Sequence, residues 1–227
     1  MANIPKHIAF IMDGNATWAK QCSKSIMDGY LTGMRTMAQT ILDTKEIGVQ
    51  YVTFYAFSME NWKRPVKWVS DFMALAMRFF KNDSSIKEVL NAGAKLKVIG
   101  DTTKLSQEFQ DILQRYTVET VANTGITVQI ALSYGARDEI VRAIQKMNEK
   151  NIDITEKNIS ENLDTAGIPD PDLIIRTSSK QRLSNFLLWQ CSYSEFYFSP
   201  LLWPDFNKSE LGKAVDEYSK RERTYGE

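Results

Sequence analysis

The 227-residue chain reads as one α/β domain, residues 1–227, with a mostly parallel central sheet flanked by helices. Three observations predict this class. Short runs rich in β-branched and aromatic residues recur along the chain. Longer segments with apolar residues at helical spacing separate them. Strands joined by such crossovers form right-handed, parallel β-α-β units. Finally, the first, second and last of these runs each lead into a cluster of polar residues, and the C-terminal end of a parallel strand is where an open sheet presents its functional groups.

The elements follow in order. "HIAFIM", residues 7–12, is the first strand and runs straight into Asp13-Gly14-Asn15. Residues 51–58, "YVTFYAFS", form the second, and residues 94–100, 126–133 and 172–177 the next three. Met34, Ala38, Ile41 and Leu42 mark a helix after the first strand, and Trp68, Phe72, Leu75, Ala76 and Phe79 mark one after the second. Phe109, Ile112, Leu113 and Tyr116 repeat the pattern, as do Ile140, Ala143, Ile144 and Met147. "GIPDPD" is a loop feeding the last clear strand, and there is no internal repeat, low-complexity tract or linker.

Composition narrows the function classes. Basic and acidic residues number 28 each, so bulk attraction to nucleic acid or to an anionic membrane is not expected. No apolar run reaches the ~18 residues of a membrane span, and "MANIPKHIAFIMDGN" turns polar too soon for a signal peptide. Cys22 and Cys191 make no Cys-x-x-Cys pair and read as free thiols in a reduced, cytoplasmic setting. One histidine and two distant cysteines argue against a zinc-type site. His7, just ahead of the first strand's apolar run, reads as structural.

Asp-Gly-Asn alone is an ordinary turn. Its company is not. The second strand ends at Ser58, Glu60, Asn61, Trp62 and Arg64, and the fifth at Arg176, Arg182, Ser184 and Asn185. In a parallel sheet these ends share one edge. Arginine forks and hydroxyls suit phosphate oxygens. A carboxylate among them suggests a divalent cation bridging to phosphate. Neither a Walker A pattern nor G-x-G-x-x-G is present, so nucleotide binding by those devices is disfavoured. The residues themselves therefore point to a diphosphate site with Mg²⁺.

The stretches "HIAFIMDGNATWA", "YAFSMENWKRP", "SYGARDEIV", "DLIIRTSSKQRLSNFLLWQCSYSEFYF", "LWPDF" and "RERTYG" resemble, in order and over nearly the whole chain, the cis-prenyltransferases of the bacterial undecaprenyl diphosphate synthase type. The resemblance implies an undecaprenyl diphosphate synthase-like parallel α/β domain, a homodimer and a Mg²⁺-dependent condensation. Isopentenyl diphosphate would add to an allylic diphosphate with a new cis double bond, giving a polyprenyl carrier for cell-wall glycans. The apolar product implies peripheral membrane contact.

It also assigns roles. Asp13 is the essential acid, positioning Mg²⁺ and assisting ionisation. Gly14 and Asn15 bring backbone and amide donors to the allylic diphosphate, with Trp18 beside them and Arg64 reaching the same group. Ser58, Glu60, Asn61 and Trp62 cover the reacting carbons. Asn61 is the candidate for proton removal; an amide is a poor base, which favours its positioning a diphosphate oxygen or water as the acceptor. Arg176, Arg182, Leu183 and Ser184 hold isopentenyl diphosphate, and Glu195 matches a second Mg²⁺ ligand near a dimer interface. The helix face from Trp68 to Phe79 reads either as core or as the lining of a prenyl tunnel.

The chain departs from the family pattern in a cluster. Thr17 stands where Arg is usual, Ile26 at a second usual Arg, Tyr30 at a usual His, Lys180 at a usual Glu and Thr224 at a usual Arg; the Gly-Gly before Lys180 is Ser178-Ser179. The isopentenyl pocket is thus kept, while the allylic pocket has lost cations that Lys20, Lys24 or Arg35 could replace. Two other readings follow: a weakly active or non-catalytic subunit, and a variant making short or irregular prenyl diphosphates.

Overall fold

The computed structural model describes residues 3–222. Its centre is a six-stranded sheet with the order β3-β4-β2-β1-β5-β6. The strands are β1 (His7–Ile11), β2 (Tyr51–Ser58), β3 (Lys95–Ile99), β4 (Thr127–Tyr134), β5 (Leu173–Arg176) and β6 (Glu195–Phe198). Every pairing is parallel. The predicted strands appear within a residue or two at each end. The exception is β6, which the sequence reading did not separate from the polar loop before it.

The helices are α1 (Asn15–Gln21), α2 (Ile26–Glu46), α3 (Val66–Asn82), α4 (Ser84–Asn91), α5 (Gln107–Glu119), α6 (Ala136–Glu149), α7 (Glu156–Asn162) and α8 (Lys208–Ser219). Their starts are chemically marked. Ser25 and Asp28 form a reciprocal capping box at α2, and Ser106 accepts from the Phe109 N–H at α5. α3 begins after Pro65 and buries Phe72, Leu75, Ala76, Phe79 and Phe80. The core is thick with rings: Phe10 on β1 stacks on Phe54 of β2 at 4.8 Å, with Trp203 tilted against both.

Strand order places the functional edge. β1 lies between β2 and β5, so the chain leaves it toward one side of the sheet and returns on the other much later. That is the topological switch point, and its crevice opens at the C-terminal end of β1. Register supplies the neighbours: Ile11 lies opposite Tyr55 on β2 and opposite Arg176 on β5. Asp13 therefore emerges between the ends of β2 and β5.

Candidate active site

The turn after β1 is held tightly. The Asp13 N–H donates to Ile11 O at 3.0 Å, and its carbonyl accepts from Thr177 Oγ1 at 2.7 Å and from the Trp203 N–H at 3.0 Å. Gly14 has φ 110°, and a Cβ there would lie 2.9 Å from the Leu202 side chain. Both the left-handed backbone and the close approach require glycine.

Arg176 is 3% exposed and organises the opposite wall. Its Nη2 donates to Asp13 Oδ2 at 2.8 Å. Nη1 donates to Ser184 Oγ at 2.8 Å and to the Arg182 carbonyl oxygen. Its Nε is buried without a partner. The arginine thus spends both terminal nitrogens within the protein and offsets the Asp13 charge. Arg182 contributes its carbonyl to this bracket while its own side chain lines the cavity.

A cavity of about 720 Å³ lies over these groups. Asp13, Gly14, Asn15 and Thr17 line one side; Ser58, Glu60, Asn61 and Arg64 a second; Arg137, Arg176, Arg182 and Ser184 a third. Met34, Phe57, Phe72 and Trp203 make its apolar part. The β2 loop is pre-set by a capping box: the Ser58 N–H donates to Asn61 Oδ1 at 3.1 Å, and the Asn61 N–H donates to Ser58 Oγ at 3.2 Å. Asn61's oxygen is therefore engaged, leaving its amide nitrogen as the group to offer. Asn185 Nδ2 donates to Glu60 Oε1 at 2.9 Å. Partial burial works against the Glu60 charge, but the Asn185 amide, its own backbone and Ser58 outweigh it and hold the carboxyl below the usual range.

Several expected residues take other positions. Asn15 donates from Nδ2 to Met12 O at 3.0 Å, and its oxygen rests against Gly33, where a Cβ would come within 2.0 Å of it. It pegs α1 to α2 while still lining the cavity, with one of its two amide N–H groups taken by Met12 O. Trp18 turns away, donating from Nε1 to Asp205 Oδ1 at 2.7 Å. Trp62 donates to Ser133 Oγ at 2.9 Å and packs on Phe57, behind the cavity wall. Leu183 packs in the apolar cluster around Ile11 and Phe186. Glu195 does not reach Asp13. It opens β6 opposite Leu173, three positions from the Arg176 end of that ladder, or ~10 Å along the strand. Its carboxylate pairs with Arg221 at 2.6 Å. Within one chain, then, Asp13 and Glu195 stand apart, and Glu195 lies on the outermost strand of the sheet.

The departures divide. Thr17 and Tyr30 line the cavity; Ile26 does not, and is 48% exposed at the start of α2. Arg64 Nη1 donates to the Tyr30 hydroxyl at 3.1 Å, and its guanidinium stacks on Trp68 at 4.1 Å. Lys24 sits over the Trp18 ring, and Arg35 pairs with Asp83 at 3.0 Å, so neither replaces the missing cations. Lys20 is exposed on α1 and absent from the lining. Thr224 lies outside the described residues. Sequence reasoning named Asn185 in the cluster after the fifth strand without giving it a role of its own, and did not single out Arg137. The signal for Arg137 was present: "SYGARDEIV" follows β4 as the other polar clusters follow β1, β2 and β5.

A carboxylate and arginines at the switch point of a parallel sheet, beside an aromatic wall, define an α/β cavity for a ligand with an anionic head and a hydrocarbon tail. The comparisons make this specific. The prenyltransferase family described as undecaprenyl diphosphate synthase matches residues 11–226, and the chain belongs to it. It is 44% identical to an isoprenyl transferase of Rhizobium meliloti (strain 1021), over 99% of this chain and 93% of that one. It is also 44% identical to one from Clostridium tetani (strain Massachusetts / E88), over 99% and 90%. Lavandulyl diphosphate synthase from Lavandula x intermedia, solved with dimethylallyl diphosphate, superposes with TM-score 0.92 at 34% identity over 99% of both chains. A probable undecaprenyl diphosphate synthase from Campylobacter jejuni gives TM-score 0.84 at 35% identity over 100% of both. The chain is a prenyltransferase.

Proposed function

We propose that the chain condenses isopentenyl diphosphate with an allylic diphosphate in a Mg²⁺-dependent reaction, extending it to a Z-polyprenyl diphosphate of the undecaprenyl type. The observation that carries this reading is one cavity holding the Asp13–Arg176 pair, Arg182 and Arg64 beside Phe57 and Phe72. It offers charge for diphosphates and an apolar surface for a prenyl chain.

In the proposed step the allylic carbon–oxygen bond breaks and diphosphate departs. The double bond of isopentenyl diphosphate donates its electron pair to the allylic carbon. Loss of a proton from the neighbouring carbon leaves the new double bond. Arg64 binds the allylic diphosphate, Arg182 and Ser184 the isopentenyl one. Asn61, with its oxygen held by Ser58, donates its amide N–H to a diphosphate oxygen, and such an oxygen takes the proton.

The donor set fits Mg²⁺. Among the described residues no three Asp, Glu, His or Cys side chains gather as a metal cage, but one carboxylate with phosphate oxygens and water is a common Mg²⁺ environment. Asp13 would hold it through Oδ1, since Oδ2 is taken by Arg176. When bound, Mg²⁺ supplies charge neutralisation of diphosphate oxygens.

The reading includes a homodimer, for which the outermost strand β6 is an available edge. No helix among the described residues is long and apolar enough to cross a membrane; the prenyl product would bring peripheral contact. Incubation with labelled isopentenyl diphosphate, allylic primers of several lengths and either Mg²⁺ or chelator tests the reading. Metal-dependent formation of butanol-soluble product with Z double bonds supports it. No incorporation with any primer overturns it.

A further inference from the structure

We propose that Arg137 binds the diphosphate of isopentenyl diphosphate and that Asn185 is the residue that positions it. This deepens the prenyl-transfer reading and rests on it.

Charge is the first argument. A diphosphate ester carries more than one negative charge, yet Arg176 has Asp13 against it and spends its terminal nitrogens on Asp13, Ser184 and the Arg182 carbonyl. Among the described residues, Arg137 and Arg182 both line the cavity, and neither guanidinium makes an ion pair or hydrogen bond. Arg182 alone would leave the ester short of positive charge. Arg137 supplies a second fork, the geometry that matches phosphate oxygens.

Placement is the second argument. Arg137 is the second residue of α6, directly beyond the end of β4, and Tyr134 pairs with Ser58 of the β2 loop. Asn185 ties this helix start to the rim. Its carbonyl accepts from the Ala136 N–H at 2.9 Å, and its Oδ1 accepts from the Arg137 backbone N–H at 3.0 Å. Its Nδ2 donates to Glu60 Oε1 at 2.9 Å. One side chain thus joins Arg137 to the loop that carries Glu60 and Asn61. The fit is close: a Cβ on Gly135 would stand 2.8 Å from Asn185 Nδ2. Ser184 and Asn185 have φ of 52° and 64°, the left-handed turn that folds the loop back onto α6. Deeper in the helix, Glu139 accepts from Tyr134 and Gln190, so α6 is anchored on both sides.

Calorimetric titration of isopentenyl diphosphate, and separately of farnesyl diphosphate, into wild type, Arg137→Ala and Arg137→Lys tests the assignment. Arg137→Ala should weaken isopentenyl diphosphate binding roughly ten- to a hundredfold, as loss of a charged hydrogen bond does. Farnesyl diphosphate affinity should fall much less, because Arg137 is assigned to the other diphosphate. Arg137→Lys should fall between, having the charge without the fork. Asn185→Gly keeps the left-handed backbone and should weaken isopentenyl diphosphate in the same direction. Combined with Arg137→Ala it should add little, because both remove one interaction. Unchanged isopentenyl diphosphate affinity in Arg137→Ala, or equal losses for both ligands, overturns the role of Arg137. Fully additive losses overturn the role of Asn185. A wild-type protein that binds neither diphosphate overturns the prenyl-transfer reading itself.

Discussion

Arg176 donates from Nη2 to Asp13 Oδ2 at 2.8 Å, joining the guanidinium at the end of β5 to the carboxylate two residues beyond β1. The partners are unequally buried: the Arg176 side chain is 4% exposed and that of Asp13 36%. A buried arginine needs a counter-charge. Asp13 meets that need with one oxygen and keeps the other on the cavity side. Structure and proposed chemistry thus meet in one carboxylate, and Arg176 is more a bracket than an open anion hook.

The α3 face, read from sequence as either core or tunnel lining, is split by the structure. Phe72 lines the cavity, with Tyr30 edge-on to it at 5.2 Å; Phe79 is 1% exposed and lies in the core. Phe72→Ala should lengthen the products or broaden their distribution, read by chromatography of dephosphorylated products. Phe79→Ala should leave product length unchanged and lower stability by ~3–5 kcal/mol in denaturant unfolding. Reversed behaviour of the two variants would show that the product channel takes another course.

How far the sequence reached is clear from particular residues. Alternating runs placed five strands, because each is a β-branched or aromatic block bounded by turn residues. β6 escaped because it has four residues and follows a polar loop without a crossover helix. Strand ends named the loops that converge, but not the direction of each side chain. Trp18 and Trp62 stand in the right loops and turn their indoles to Asp205 and Ser133. Asn15 and Asn61 looked alike as open amides; hydrogen bonds within their own turns engage the nitrogen of Asn15 and the oxygen of Asn61. The distance between Glu195 and Asp13 within one chain was not legible, because it depends on register, which puts Glu195 at the far end of β5.

Thr17 and Ile26, the two lost arginines of the allylic side, should not behave alike. Thr17 lines the cavity and Ile26 is outside it. Thr17→Arg should tighten allylic diphosphate binding by roughly tenfold or more, the value of one charged hydrogen bond. Ile26→Arg alone should change it little. Titration of farnesyl diphosphate into the two single variants distinguishes them; an effect confined to Ile26→Arg would contradict this geometry.

Ser178 and Ser179 occupy left-handed backbone, with φ of 70° and 53°, where the family pattern has glycines. A side chain there costs about 1 kcal/mol per residue. Ser178→Gly and Ser179→Gly should each raise stability, by less than that amount because glycine also gains freedom in the unfolded chain. Destabilisation of both variants would mean that the serine hydroxyls hold this loop.

His7, the only histidine in the chain, sets a pH dependence. Its Nδ1 lies 2.6 Å from Pro169 O and its Nε2 2.8 Å from Thr53 Oγ1. Burial dominates over the Pro169 hydrogen bond and the Asp172 charge, and lowers its pKa from 6.5 to about 4. The unfolded chain therefore binds the proton more readily than the folded one. The His7 contribution is full above pH ~6.5, falls as pH drops toward ~4 and has lost about 2 kcal/mol by pH 5. Denaturant midpoints between pH 7.5 and 5 should show that fall, and His7→Gln should lack this component. An imidazole that titrates near 6.5 in the folded protein by NMR would contradict it.

Asp13→Asn gives the most direct test of the central claim, that this cavity performs prenyl transfer through the carboxylate at the end of β1. The amide oxygen can still accept from Arg176, so the fold should persist while the charge is lost. With labelled isopentenyl diphosphate, an allylic primer and Mg²⁺, the account predicts product from wild type and a loss of at least about a hundredfold in turnover for Asp13→Asn, with the melting temperature near that of wild type. Turnover by Asp13→Asn close to wild type would contradict it.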